Sequence, residues 1–266
     1  MRDLILQHLD PGCPWGALLH YHAVTDSTNT QAKLLAQAGA AHGTAVLAGA
    51  QTQGRGRLGR SFASPAGMGV YLSVILRPEC RPEELMHLTC AVGSAMCDAV
   101  QQCAGIRPRI KWTNDLVWGR HKLGGILTQL QVDPATGLVD YAIVGIGINC
   151  AQRREDFPAQ LQDMAISLSM AAEKPISPAL LAAHMLSSLY RMDSALLTGK
   201  AALLERYRAD CMTIGKQIVL CRGDQREYGT ALDVCEDGSL RVAFADGTIR
   251  NVSSGEVSVR GMYGYV

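Results

Sequence analysis

Hydrophobic and polar positions alternate with a changing period along the chain, and the changes mark off a series of elements. Residues 4–9 carry a short helical pattern closed by Asp10-Pro11-Gly12, and 21–24 read as a strand. Ala32, Leu34, Leu35 and Ala38 follow at helical spacing. Ser27 or Thr28 supplies the oxygen that a helix start needs, and Gly39 stops the run. Residues 44–50 and 70–76 are apolar and of strand length, with a glycine- and arginine-rich loop between them. Pro82 opens a long helix in which Leu85, Leu88, Val92, Met96 and Ala99 share one face. Residues 110–112 and 116–118 are extended, Gly119-Arg120 forms a hairpin turn, and 123–132 continue as a strand. A turn at 133–137 leads to the apolar strand 141–148, and 178–197 and 201–211 are helical. From Thr213 the texture changes. Short strands at 217–221, 229–234, 240–244 and 248–252 are punctuated by Arg222-Gly223-Asp224, Glu236-Asp237-Gly238 and Ala245-Asp246-Gly247. That punctuation predicts a small antiparallel barrel. The division is therefore a mixed α and β domain over 1–212 and a β-rich one over 213–266.

Composition narrows the class. With 48% apolar and 18% charged residues, the 266-residue chain can bury a sizeable core and is not disordered. A net charge of +1 exerts no overall pull on nucleic acid or an anionic membrane, so any anion recognition must be local. The nine cysteines are odd in number and contain no C-x-x-C pair. Cys90, Cys97 and Cys103 fall in the long helix as small buried hydrophobes, and reduced thiols suit a cytoplasmic protein. Arg2 and Asp3 precede only a short apolar stretch, so no secretory signal is expected, and no apolar run reaches bilayer length.

Two segments carry candidate chemistry. Gly54-Arg55-Gly56-Arg57-Leu58-Gly59 satisfies the G-x-G-x-x-G expression, but a dinucleotide site needs a helix next, and Pro65, Gly67 and Gly69 argue against one. What remains is a loop in which Arg55, Arg57 and Arg60 repel one another among flexible glycines. Such a loop is expected to be mobile and to order around an anion that guanidinium forks can grip; a solvated basic loop or an RNA-binding segment is the plainer reading. In the second segment, Lys111-Trp112-Thr113-Asn114-Asp115 ends one strand and Lys122 starts the next, followed by Gly124 and Gly125. A lysine at the head of an apolar strand is costly without a partner, and the glycines let a ligand approach the sheet. Asn114 and Asp115 offer oxygen ligands for a metal-bound phosphate. Asn149, closing Gly145-Ile146-Gly147-Ile148, is a third polar group at a strand end or simply the start of a turn.

Asp26-Ser27-Thr28-Asn29, QTQGRGRLGR at 51–60, KWTNDL at 111–116, KLGGIL at 122–127 and Gly147-Ile148-Asn149 occur in an order that resembles the biotin–protein ligases, also called biotin–[acetyl-CoA-carboxylase] ligases. Ser254-Gly255-Glu256-Val257-Ser258 is similar to the end of that family's C-terminal domain. The resemblance runs from Tyr21 to the C-terminus. It implies an α+β fold in which a mixed sheet packs with helices as in class II synthetases, followed by an SH3-like barrel. It also implies an enzyme that activates biotin with ATP and Mg²⁺ to biotinyl-5'-AMP, then transfers biotin to a lysine of a biotin carboxyl carrier protein or domain. By position, Ser27, Thr28, Asn29, Gln51, Arg55, Gly56, Arg57, Lys122 and Gly124 would bind biotin. Arg55, Arg57, Arg60, Lys111, Asn114, Lys122 and Asn149 would bind ATP, and Lys122, Arg57 and Asp115 would act in catalysis. Magnesium would be held mainly by the ATP phosphates. Thr113 and Phe62 depart from the family, which usually has proline and tryptophan there. Only about twenty residues precede Tyr21, too few for a winged-helix DNA-binding domain, so nucleic-acid and membrane partners are not expected; a homodimer is compatible with the sequence.

Two rivals are carried forward. A lipoate or octanoate–protein ligase shares the fold and the acyl-adenylate chemistry, but a ureido ring needs the donors and acceptors that Ser27, Thr28 and Asn29 supply and a fatty chain would leave unpaired. A non-enzymatic RNA-binding protein using Arg55, Arg57 and Arg60 predicts salt-sensitive nucleic-acid binding without ATP turnover; the near-neutral charge and the 5% aromatic content oppose it.

Overall fold

A computed structural model describes residues 1–254 and 258–261. Its first part contains α1 (Arg2–His8), β1 (Leu19–His22), α2 (Thr28–Gln37), β2 (Ala45–Ala48), β3 (Gly69–Leu76), α3 (Leu88–Ala104), β4 (Arg109–Lys111), β5 (Asp115–Trp118), β6 (His121–Val132), β7 (Val139–Asn149), α4 (Leu168–Ala171), α5 (Pro178–Asp193) and α6 (Lys200–Asp210). β8 (Gln217–Arg222), β9 (Gln225–Val234), β10 (Leu240–Phe244), β11 (Ile249–Val252) and β12 (Ser258–Gly261) make up the second. Seven strands form one sheet in the order β1-β2-β3-β7-β6-β5-β4, and the last five form an antiparallel sheet in the order β11-β10-β9-β8-β12. This is the α+β sheet and appended β domain expected from the sequence.

Strand periodicity divides the large sheet into two faces. Leu72, Val74 and Leu76 of β3, with Val144, Ile146 and Ile148 of β7, point into the main core under α3 and α5. Tyr71, Ser73 and Ile75 point the other way, and the β3–β7 register sets them beside Gly147, Gly145 and Ile143. Here α2 covers a smaller cluster of Ala32, Ala36, Val46, Ile75, Tyr141 and Ile143. α2 covers one end of this face, and the site is built on the strip that runs out from under it.

The boundaries differ from expectation where local chemistry decides. The helix from Pro82 is a 3-10 turn over Pro82–Leu85 before α3 begins at Leu88, and α5 stops at Asp193 rather than reaching Leu197. Neither α4 nor β12 was expected. Of the closing motif at 254–258, residues 255–257 and the side chain of Ser258 lie outside the described residues. Cys90 and Cys97 are buried in α3 as small apolar groups, and Cys103 is half-buried. No helix among the described residues is long and apolar enough to cross a membrane.

Candidate active site

The floor of the site is a strip of glycines. In-register pairs in an antiparallel ladder project to the same face, so Asp115, Gly125, Gly147, Leu127 and Gly145 share the face occupied by α2. A Cβ on Gly145 would overlap the amide of Asn29, one on Gly147 would come within 2.6 Å of the Phe62 ring, and one on Gly125 would lie 3.4 Å from both Asp115 Oδ1 and Lys122 Nζ. Gly124 belongs to the opposite, core-facing side, in register with Ile148 and Leu116. Of the two glycines, Gly125 is therefore the one on the face of the strip, while Gly124, named from the sequence, faces the core.

At one end of the strip stands a closed set of polar groups at the start of α2. Thr28 donates its N–H (2.8 Å) and its hydroxyl (3.1 Å) to Gln51 Oε1, and Gln51 Nε2 donates to Ser64 Oγ at 2.8 Å. Ser73 Oγ lies 2.8 Å from Thr28 Oγ1 and 2.7 Å from Asn29 Oδ1. Asn29 Nδ2 reaches across to Gln129 Oε1 at 3.1 Å and Leu127 O at 3.3 Å. Ser27 is buried at the N-cap, where its side chain caps no backbone N–H; its own N–H goes to Asp26 Oδ1 at 2.6 Å. Burial opposes ionisation of Asp26, but hydrogen bonds from Gln31, Ser27 and Thr25 outweigh it and hold the carboxyl below its ordinary range. The result is a rigid wall of amides and hydroxyls.

The other end is ionic. Lys122 Nζ donates to Asp115 Oδ1 at 2.6 Å. Arg57 Nη1 donates to Asn114 Oδ1 at 2.8 Å, and its Nη2 to the carbonyl of Ser254 in the turn that follows β11. Asn114 is itself fixed, since its Nδ2 donates to Ile126 O and its carbonyl accepts the Ile126 N–H, both at 2.9 Å. Burial pulls the Arg57 guanidinium below its ordinary value while the Asp115 charge pushes it back and Arg60 adds to the depression. It remains a cation. Lys111 is buried on β4 in register with Asp115. Asn149 is buried, donating to Ile166 O at 3.2 Å and accepting from Gln152 Nε2 at 3.3 Å. A bridge from Ala165 to Lys122, made by Lys122 N–H to Met164 O and Ile166 N–H to Lys122 O, brings this segment to the same place.

The arginine loop has a defined backbone path. Phe62 N–H pairs with Gly54 O at 2.8 Å and Gly56 N–H with Arg60 O at 2.7 Å, making a narrow hairpin around a 3-10 turn at Arg57–Gly59. The turn needs left-handed backbone, which Gly59 adopts freely (φ 73°) and Leu58 at some cost (φ 54°). The hairpin aims Arg57 inward and leaves Arg55 and Arg60 exposed at its rim. Ser27, Thr28, Asn29 and Gln51 are thus brought together, as are Arg57, Asn114, Asp115 and Lys122. Sequence reasoning missed Ser73, Ser64, Gln129 and Gln152; of these only Ser73, a lone hydroxyl within an apolar strand, carried a readable signal. Among the described residues no cluster of three His, Cys, Asp or Glu offers an all-protein metal cage.

A neutral hydrogen-bonding wall, a strip of glycines lying under Asn29 and Phe62, and a lysine–arginine–asparagine cluster share one face of the large sheet, an arrangement suited to an enzyme that activates an acid at its carboxylate. Comparison with known proteins agrees. Residues 21–149 match the biotin/lipoate A/B protein ligase family and 213–260 match the biotin protein ligase C terminal domain. The bifunctional ligase/repressor BirA of Bacillus subtilis is 34% identical over 92% of this chain and 74% of its own length. The biotin–[acetyl-CoA-carboxylase] ligase of Mycobacterium tuberculosis is 30% identical over 96% and 94%. The biotin protein ligase of Aquifex aeolicus in complex with biotin and ATP superposes with a TM-score of 0.76 at 27% identity, covering 91% of this chain and 98% of that one. The chain belongs to the biotin/lipoate A/B protein ligase family.

Proposed function

We propose that the chain is a biotin protein ligase that makes biotinyl-5'-AMP from biotin and ATP and passes the biotinyl group to a lysine of a biotin carboxyl carrier protein or domain. The convergence of Arg57, Asn114, Asp115 and Lys122 at one end of the glycine strip carries the reading. A ureido ring needs fixed donors and acceptors, which Ser27, Thr28, Asn29 and Gln51 offer; a hydrocarbon arm needs only a bare floor. A carboxylate oxygen of biotin attacks the ATP α-phosphorus, and the bond to pyrophosphate breaks. Negative charge gathers on the phosphoryl oxygens, where Lys122 and Arg57 stabilise it. Arg55, Arg60, Lys111 and Asn149 would line the nucleotide side, and magnesium would be held mainly by the ATP phosphates, with the oxygens of Asn114 and Asp115 as the protein groups nearest to offer ligands. The mixed anhydride is destroyed by water, so the Arg57 hairpin serves as its cover. The neutral amine of the carrier lysine then attacks the acyl carbon, AMP departs, and Asp115 is the candidate to take the proton that the amine sheds. The nine free cysteines, six of them buried, suit a reducing cytoplasm.

The purified chain is expected to catalyse ATP–pyrophosphate exchange that depends on biotin. Exchange with lipoate or octanoate in place of biotin would transfer the assignment to the rival ligases.

A further inference from the structure

Trp112 and Thr113 directly precede the two residues that meet Arg57 and Lys122, and both are buried. Three separate parts of the chain are fastened to them. Tyr207 of α6, fully buried, donates its phenolic O–H to Thr113 O at 3.0 Å. Cys90 Sγ of α3 lies 3.9 Å from Thr113 Oγ1. From the start of the second domain, Thr213 Oγ1 accepts the Trp112 N–H at 2.9 Å, and Gly238 O accepts the indole N–H at 3.0 Å. Tyr207 has little freedom to follow if the backbone moves. Gly93 of α3 leaves a slot for it, since a Cβ there would stand 3.5 Å from the Tyr207 ring and 3.1 Å from Ile110. Burial holds the phenol far above its usual titration range, so the group stays a donor.

One residue beyond the Tyr207 bond, Asn114 Oδ1 receives Arg57; two beyond, Asp115 receives Lys122. We propose that Tyr207 and Thr213 are positioning residues for the activation step, their hydroxyls fixing the backbone at 112–113 and so setting where Asn114 and Asp115 meet the two cations. The inference rests on the ligase reading above and adds to it a division of labour: the ATP end is held from behind by these hydroxyls, while the wall formed by Thr28, Gln51 and Ser73 is held by its own network.

The test uses the full chain with Tyr207→Phe, Thr213→Val and Thr213→Ser, and Tyr141→Phe as a control that deletes a buried hydroxyl with no partner. In biotin-dependent exchange, Tyr207→Phe and Thr213→Val are expected to raise the KM for ATP by about tenfold, the effect of losing one buried hydrogen bond. Biotin affinity measured by calorimetry without ATP stays at the wild-type value, and Thr213→Ser and Tyr141→Phe behave as wild type. An unchanged KM for ATP in both deletion variants overturns the proposal, as does a parallel loss of biotin affinity and Tm, which would mean general loosening. Should Tyr207→Phe fail to fold, the Thr213→Val and Thr213→Ser pair decides the question. A wild-type chain without biotin-dependent exchange refutes the ligase reading and this inference together, whereas normal wild-type exchange with unmoved variants refutes this inference alone.

Discussion

Lys122 and Asp115 form an ion pair whose side chains are 31% and 17% exposed. Solvent screens such a pair, and its contribution to stability is on the order of 1 kcal/mol or less. The pair therefore matters for chemistry rather than for folding. Lys122→Met keeps the length of the stem and removes the charge; exchange is expected to fall by roughly 10²–10³ with a nearly unchanged Tm. Near-normal exchange in that variant would remove Lys122 from the mechanism. Gly145→Ala tests the other end, because its methyl would occupy the place of the Asn29 amide. Biotin affinity by calorimetry should drop while the KM for ATP holds. The charged members of the site were legible in the sequence because a lysine, an arginine or an Asn-Asp pair is conspicuous beside apolar strands. The facing of Gly124 and Gly125 was not: which of two adjacent glycines lies on the face of the strip depends on register, and register is fixed by the neighbours β5 and β7.

Among the elements, the hairpin over residues 54–62 is held to the rest through two side chains: Phe62 packs on Gly147 and edge-on to Tyr71, and Arg57 reaches both Asn114 and Ser254. Arg57→Gly should leave the hairpin's own backbone pairs and the Phe62 contact in place and remove its hold on Asn114 and Ser254. Activation is then expected to persist in part while biotinyl-5'-AMP escapes into solution, visible as free adenylate after rapid filtration; tight retention would argue against a covering role. Charge spacing pointed to a cationic loop here but not to its hairpin form, because the pairs that close it are backbone bonds between Gly54 and Phe62 and between Gly56 and Arg60. Short elements escaped for a related reason. With only four residues each, α4 and β12 offer too little periodicity to read, whereas β3 and β7 are long apolar patterns and were found nearly to their ends, and α3 was found though begun six residues early at Pro82.

Across the molecule, the second domain is bound to the first at places that matter to the site. Trp112 donates to Gly238 O, Arg208 of α6 donates to Val234 O at 2.9 Å and 2.6 Å, and Arg57 donates to Ser254 O. The turn at Glu236-Asp237-Gly238 is the closest of these to the core. Gly238 has φ 79°, and a Cβ on it would stand 3.2 Å from Cys90 Sγ and 3.4 Å from Met86 O. Gly238→Val therefore imposes left-handed strain on a branched residue and overlaps α3, together costing about 2–4 kcal/mol. In a chain of this size such a loss lowers Tm by several degrees, about 2–4 °C for each kcal/mol. The turn must retreat, and the Trp112 indole N–H then loses its acceptor in the interior, so tryptophan emission should shift to the red before the main thermal transition. If the second domain only decorates the first, exchange activity will track the folded fraction. If the docking positions Trp112 and Arg57 as the hydrogen bonds indicate, the fully folded variant at low temperature will already show a raised KM for ATP, because the turn and the nucleotide end of the site share one stretch of backbone.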